Sequence, residues 1–128
     1  MAKKEENIQV AVCTYLKLQY PDVIFTCDLS SGMKLTIGQA VKAQKMRSGR
    51  GLPDIMILEP KGGELGYAGL MIELKTEKAG NKNGTVKQTD HVREQQAILD
   101  RLEKKGYMAK FAIGLDEAIN IIDFYMAL

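Results

Sequence analysis

Two residues of opposite charge, Glu73 and Lys75, stand two positions apart in the run Leu70-Met71-Ile72-Glu73-Leu74-Lys75-Thr76. The rest of the run is almost wholly apolar and reads as a strand. Side chains alternate between the faces of a strand, so Leu70, Ile72 and Leu74 share one face and Met71, Glu73 and Lys75 the other. A carboxylate and an ammonium then project side by side. Taking such charges out of water is costly unless they are paired or hold a metal ion. Taken alone, this is equally the pattern of a plain Glu73–Lys75 ion pair on the solvent face of an edge strand. Asp54 changes the weighting. It opens a second apolar run, Asp54-Ile55-Met56-Ile57-Leu58, directly after Gly51-Leu52-Pro53. If the two runs pair antiparallel through a turn at Lys61-Gly62-Gly63-Glu64, Asp54 lies beside Glu73. Two carboxylates that close repel unless a divalent cation sits between them, and Mg²⁺ suits one or two carboxylates because it keeps several waters. An aspartate at a strand start is also a common turn residue.

A third acid comes from the first helix. At about 100° per residue, Glu5 falls on the same stripe as Ile8, Val12 and Leu16, and Gln9 lies one turn further along it. Glu6 is turned toward water. Acids at a helix start also favour the helix dipole without any further role. His91, the single histidine, reads as an ordinary surface histidine at the start of a later helix.

The elements that must position these residues follow from periodicity and punctuation. A helix runs from Glu5 to about Gln19 and is stopped by Pro21. Val23 to Leu29 is β-branched and aromatic, hence a strand. Ser30-Ser31-Gly32 is a turn, residues 33–46 form a basic helix weakened by Gly38, and residues 47–51 form a glycine-rich basic loop. Strands are expected at Asp54–Leu58 and Leu70–Thr76, with a mobile polar loop over Lys78–Thr89. A helix over Asp90–Lys105 closes at Gly106. A strand over Tyr107–Ile113 and a helix capped by Asp116 and ending near Tyr125 complete the chain. The order αβββαβα, with the basic segment as an insert, describes one α/β domain over residues 1–128: a mixed sheet flanked by helices.

Composition bounds the reading without deciding it. The chain has 128 residues, 45% hydrophobic and 27% charged, which is ordinary for one soluble globular domain. A net charge of +2 says little about partners. Its distribution says more. Residues 29–53 contain no acid, while Lys34, Lys42, Lys45, Arg47 and Arg50 all fall there, so this segment is a candidate phosphate-facing surface or else a solvated basic helix face. Cys13 and Cys27 lie outside any CxxC or Cys/His cluster, so zinc is not expected, and they read as packed thiols of a reducing compartment. No run approaches the ~20 apolar residues of a membrane span, and the first residues lack the apolar centre of a signal peptide. A cytoplasmic protein is expected.

The set of residues now resembles a known family. Gly51-Leu52-Pro53-Asp54, followed after residues 55–72 by Glu73-Leu74-Lys75, looks like the PD-(D/E)xK nuclease signature. Glu5 followed by Gln9 is similar to the start of the VRR-NUC family, including its stand-alone, phage-like members. So is a later helix bearing Gln95, Ile98, Leu99 and Leu102 and ending at Gly106-Tyr107. The acid-and-lysine core occurs often by chance. The ordered set spans nearly the whole chain and is far more specific.

The resemblance implies a restriction-endonuclease-like fold and a metal-dependent hydrolase acting on DNA phosphodiester bonds. Asp54, Glu73 and the carbonyl of Leu74 would hold Mg²⁺ or Mn²⁺, with Glu5 joining the acidic cluster directly or through water. Lys75 would position the attacking water and offset charge at the scissile phosphate. Gln95, which the spacing to Leu99 and Leu102 favours over Gln96, would orient Lys75 or bind phosphate. A homodimer acting on Holliday-junction, flap or otherwise branched DNA during replication or repair is the expected setting. A non-catalytic DNA-binding or assembly module retaining the fold, and a sequence-specific restriction-type enzyme, are the alternatives.

Overall fold

The strand that carries Glu73 and Lys75 is buried along its whole length, from Leu70 to Lys75, and this places it inside the sheet. In the computed structural model the described residues are 2–28, 34–48 and 51–128, with side chains from Lys4 onward. Helix α1 spans Ala2–Gln19, β1 Phe25–Cys27, α2 Ile37–Lys45, β2 Ile55–Ile57, β3 Leu70–Lys75, α3 Asp90–Lys104, β4 Met108–Ile113 and α4 Leu115–Met126. The four strands lie in the order β1-β2-β3-β4. The first two pairings are antiparallel, and β3 and β4 are parallel, as the α3 crossover between them requires.

Alternation along β3 separates two cores. Leu70, Ile72 and Leu74 pack with Ile55 and Ile57 against Val12 and Leu16 of α1 and Ala118, Ile122 and Tyr125 of α4. Met71 faces the opposite way and packs with Leu99 of α3 and Ala109 of β4. The result is three layers, with α1 and α4 on one face of the sheet and α3 on the other. Tyr125 is fully buried, and its hydroxyl donates to the Glu59 carbonyl at 2.5 Å. Changing it to phenylalanine leaves that carbonyl without its donor. Tyr125→Phe is therefore expected to lower stability by about 1–2 kcal/mol, measured by urea unfolding; an unchanged midpoint would show that the bond contributes nothing. Helices α1 and α4 are also joined through Asp123, whose carboxylate accepts from the hydroxyls of Tyr15 at 2.6 Å and Tyr20 at 2.8 Å. That hydrogen bond is the first reason the Tyr15 hydroxyl is pushed up to about 12.

Several expectations need correction. Strands β1 and β2 are shorter than their apolar runs, although the Leu58 N–H to Ile24 carbonyl and Asp28 N–H to Asp54 carbonyl bonds carry the pairing one residue past each end. The connection between β2 and β3 is not a tight turn. Lys61 bridges to Tyr67 around a 3₁₀ turn at Gly63–Leu65, and Gly62 and Gly63 supply the left-handed backbone there. The segment read as a mobile loop is folded: it holds a 3₁₀ turn at Glu77–Ala79 and a Gly80–Val86 bridge, and it buries Val86. The cap of α4 is Gly114, not Asp116, which sits in the first turn. Cys13 on α1 and Cys27 on β1 are not separate packed thiols. They are joined as a disulfide that ties α1 to β1. The expected turn at 30–32 lies outside the described residues. Among the described residues no helix is long and apolar enough to cross a membrane.

Candidate active site

The register of the sheet brings the acids together. Ile55 of β2 faces Ile72 of β3, so the next position outward sets Asp54 against Glu73. The β2 ladder stops there, and the Asp54 side chain takes over: its Oδ2 accepts the Leu74 N–H at 2.7 Å. Glu73 is 6% and Lys75 8% exposed. Both share the Met71 face and point toward α3. From α3, Gln95 Nε2 donates to Glu73 Oε1 at 2.7 Å. Lys75 Nζ lies 5.9 Å from the centre of the Phe111 ring.

Helix α1 closes the far side. Glu5 is half-buried and lines the cleft, while Glu6 is exposed. Gln9 is buried, and its Nε2 donates to the carbonyls of Asp28 at 3.1 Å and Asp54 at 3.4 Å. One side-chain amide thus holds the ends of β1 and β2 against the helix. The cavity so enclosed is about 470 Å³, and Glu5, Asp28, Asp54, Glu73, Lys75 and Gln95 line it. A separate groove of about 390 Å³, beside Met56, Met71 and Tyr107, contains no carboxylate.

Burial and mutual repulsion dominate the electrostatics. The Glu73 carboxyl is pushed up to about 9, first by burial, then by Asp54, with Lys75 opposing the shift. Asp54 is also raised, again chiefly by burial, and the Leu74 N–H works against it. A proton on Glu73 or a cation between the two groups relieves the repulsion. The donors all offer oxygen. Along a strand both polar groups of a residue point to the same side, so the Leu74 carbonyl faces the side on which its N–H meets Asp54. Two carboxylates and a carbonyl, with no sulfur or imidazole among them, fit a hard divalent cation that keeps part of its water shell. Among the described residues no group of three or more His, Cys, Asp or Glu is gathered closely enough to hold a metal by itself. Glu5 lines the cleft without completing such a triad.

This arrangement of elements is shared with a solved structure. A VRR_NUC domain protein matches over 98% of this chain and 89% of its own, with a TM-score of 0.66 and 25% identity. This chain has the VRR-NUC fold. No protein-family model and no curated protein matches it.

Within the VRR-NUC fold the sites inferred from sequence are only partly gathered together. Glu5, Asp54, Glu73, Lys75 and Gln95 share one cleft. Gln95 meets Glu73, whereas the sequence reading had it orient Lys75 or bind phosphate, and its Oε1 is buried without a hydrogen-bond partner. Gln96 bonds Asp100 on the outer side of α3. The described basic residues do not form one patch in the cleft. Lys34 is exposed before α2, Lys42 and Lys45 stand in the last turn of α2, and Arg50 lies outside the described residues. Of the described ones, Arg47 reaches the rim, with its guanidinium 3.7 Å from the Asp28 carboxylate.

Asp28 and His91 are among the lining residues of the VRR-NUC cleft that were not singled out as site residues from the sequence. Asp28 continues the β1–β2 register opposite Asp54 and raises the Asp54 carboxyl further. His91 is exposed but lines the same cavity. Its position four residues before Gln95 was the available signal, since that spacing puts both on one helix face.

Proposed function

We propose that this chain is a divalent-metal-dependent endonuclease that hydrolyses DNA phosphodiester bonds, acts as a homodimer and selects branched DNA. One observation carries the reading: the buried carboxyl of Glu73 and the half-buried one of Asp54 face each other beside a buried lysine in an open cleft. Mg²⁺ or Mn²⁺ is the cofactor, held by Asp54, Glu73 and the Leu74 carbonyl. When bound, the ion supplies Lewis-acid polarisation of the phosphoryl oxygen and lowers the pKa of a bound water.

The chain's own residues do the rest. Lys75 projects from the same strand face as Glu73, where its ammonium offsets charge that builds on the phosphoryl oxygens as water attacks phosphorus and the phosphorus–oxygen ester bond breaks. Gln95 fixes the Glu73 carboxylate, and Gln9 holds the backbone of Asp54. Glu5 orients water from the opposite wall. The basic segment with Lys42, Lys45 and Arg47 extends the surface available to the DNA backbone. Cutting two strands together calls for two such clefts, which a symmetric dimer provides.

The test compares linear duplex, flap and four-way junction substrates in Mg²⁺ and in Mn²⁺. Faster cutting of the branched forms is expected. Equal rates on all three would remove the structural selectivity, and no cutting in either metal would leave a DNA-binding module without catalysis.

A further inference from the structure

Thr76 follows Lys75 directly and is 7% exposed. It stands at the start of the 3₁₀ turn Glu77–Ala79, where a threonine hydroxyl normally caps the backbone, yet its side chain makes no cap hydrogen bond. It also forms the wall between two cavities. One is the acidic cleft. The other, of about 510 Å³, is lined by Lys4, Asn7, Thr76, Glu77, Lys78 and Gly114.

The second cavity differs in sign from the first. Lys4 and Lys78 outnumber Glu77, the single acid on its wall. Asn7 adds an amide that can donate. The N-terminus of the twelve-residue helix α4 also opens here, at Gly114, but Asp116 and Glu117 in its first turn already answer its positive end, so the two lysines set the sign of the cavity. Helix α1 and the segment running from β3 into the 3₁₀ turn line both cavities: Glu5 lines the cleft and Lys4 the second cavity, while Lys75 lines the cleft and Lys78 the second cavity. Thr76, buried as a residue and with a side chain that caps nothing, therefore sits where a chain leaving the acidic cleft would pass into a basic one.

We infer that the second cavity is a phosphate subsite, holding through Lys4, Lys78, Asn7 and Thr76 the phosphodiester adjacent to the one presented to Asp54, Glu73 and Lys75. This rests on the nuclease reading and adds the direction in which the cut strand leaves the cleft. The ligand is the sugar–phosphate backbone, so contact is independent of base sequence.

The test uses the full chain. A Lys4→Ala/Lys78→Ala protein is expected to raise KM about tenfold, with a smaller effect on kcat, and to reduce the salt slope of DNA binding by about 1.4, two phosphate contacts on a single strand. Lys82→Ala/Lys87→Ala, a pair from the same segment outside the cavity, serves as the control for lost charge. Thr76→Val tests the hydroxyl without changing charge, and it should weaken binding in the same direction. An oligonucleotide with a neutral methylphosphonate at the linkage beside the cut should bind the unaltered protein more weakly, and the Lys4/Lys78 variant should be indifferent to it. Equal KM and salt slope in the two double variants, or equal sensitivity of both proteins to the methylphosphonate, would overturn the subsite. If the unaltered protein cuts nothing, the nuclease reading fails, and the same binding comparison still decides the subsite.

Discussion

Replacing Lys75 with alanine is expected to lower the rate of DNA cleavage by about 10²–10³-fold, the usual effect of removing one donor aimed at charge that develops in the transition state. DNA binding should change only a few-fold. The ammonium sits on a buried strand face beside Glu73, so it acts at the reacting phosphate and not along the backbone track. The measurement is single-turnover cleavage together with equilibrium binding of the same oligonucleotide. Undiminished cleavage would sink the assignment of Lys75. A parallel loss of binding would make it a docking residue. Lys75→Arg keeps the charge but broadens the head group, and partial recovery in that protein would show that position matters as well as sign.

The second large effect concerns stability without metal. The folded-state carboxyl of Glu73 sits near 9 against an ordinary value of 4.5. Between those values the folded chain holds a proton that the unfolded chain has released. Stability therefore falls as pH rises through the window, by up to about 1.4 kcal/mol per pH unit, and the loss is complete above the folded value. Asp54 is raised too and acts with the same sign. In EDTA the thermal midpoint is expected to drop by at least about 5 °C between the ends of that window. Glu73→Gln should flatten the dependence, since it keeps the shape without the ionisation. Mg²⁺ or Mn²⁺ should raise the midpoint, and more so at higher pH, because the ion replaces the proton between the two acids. A flat EDTA profile, or one as steep in Glu73→Gln, would show that these carboxyls are not coupled as the geometry implies.

Much of the cleft was legible because it depends on local rules. Strand alternation alone puts Glu73 and Lys75 on one face, and helix phase alone separates Glu5 from Glu6 and Gln95 from Gln96. The meeting of Asp54 with Glu73 needed one further step, an antiparallel pairing across a short connection. Asp28 was not legible. Its place depends on the register of β1 against β2, which are joined through a long basic segment whose length leaves that register open. The same holds for the Cys13–Cys27 pair, which joins a helix to a strand and depends on how the two dock. The folded 77–86 segment was missed because a single valine among polar and glycine residues carries little periodic signal. The cap of α4 was misread because an aspartate near a helix start is a stronger textual cue than a glycine before it.

The alternation of β3 has a consequence for how this chain can change over generations. Its inner face holds the core with α1 and α4, and its outer face holds Glu73 and Lys75. Phase is thus a shared coordinate of packing and chemistry. Losing one residue within the strand would invert both at once, turning the charged pair into the apolar core and the aliphatic side chains into the cleft. Residues gained or lost in the connection between Lys61 and Tyr67 leave that phase alone. Length can drift in the hairpin, while the strand itself tolerates substitution but no change of count.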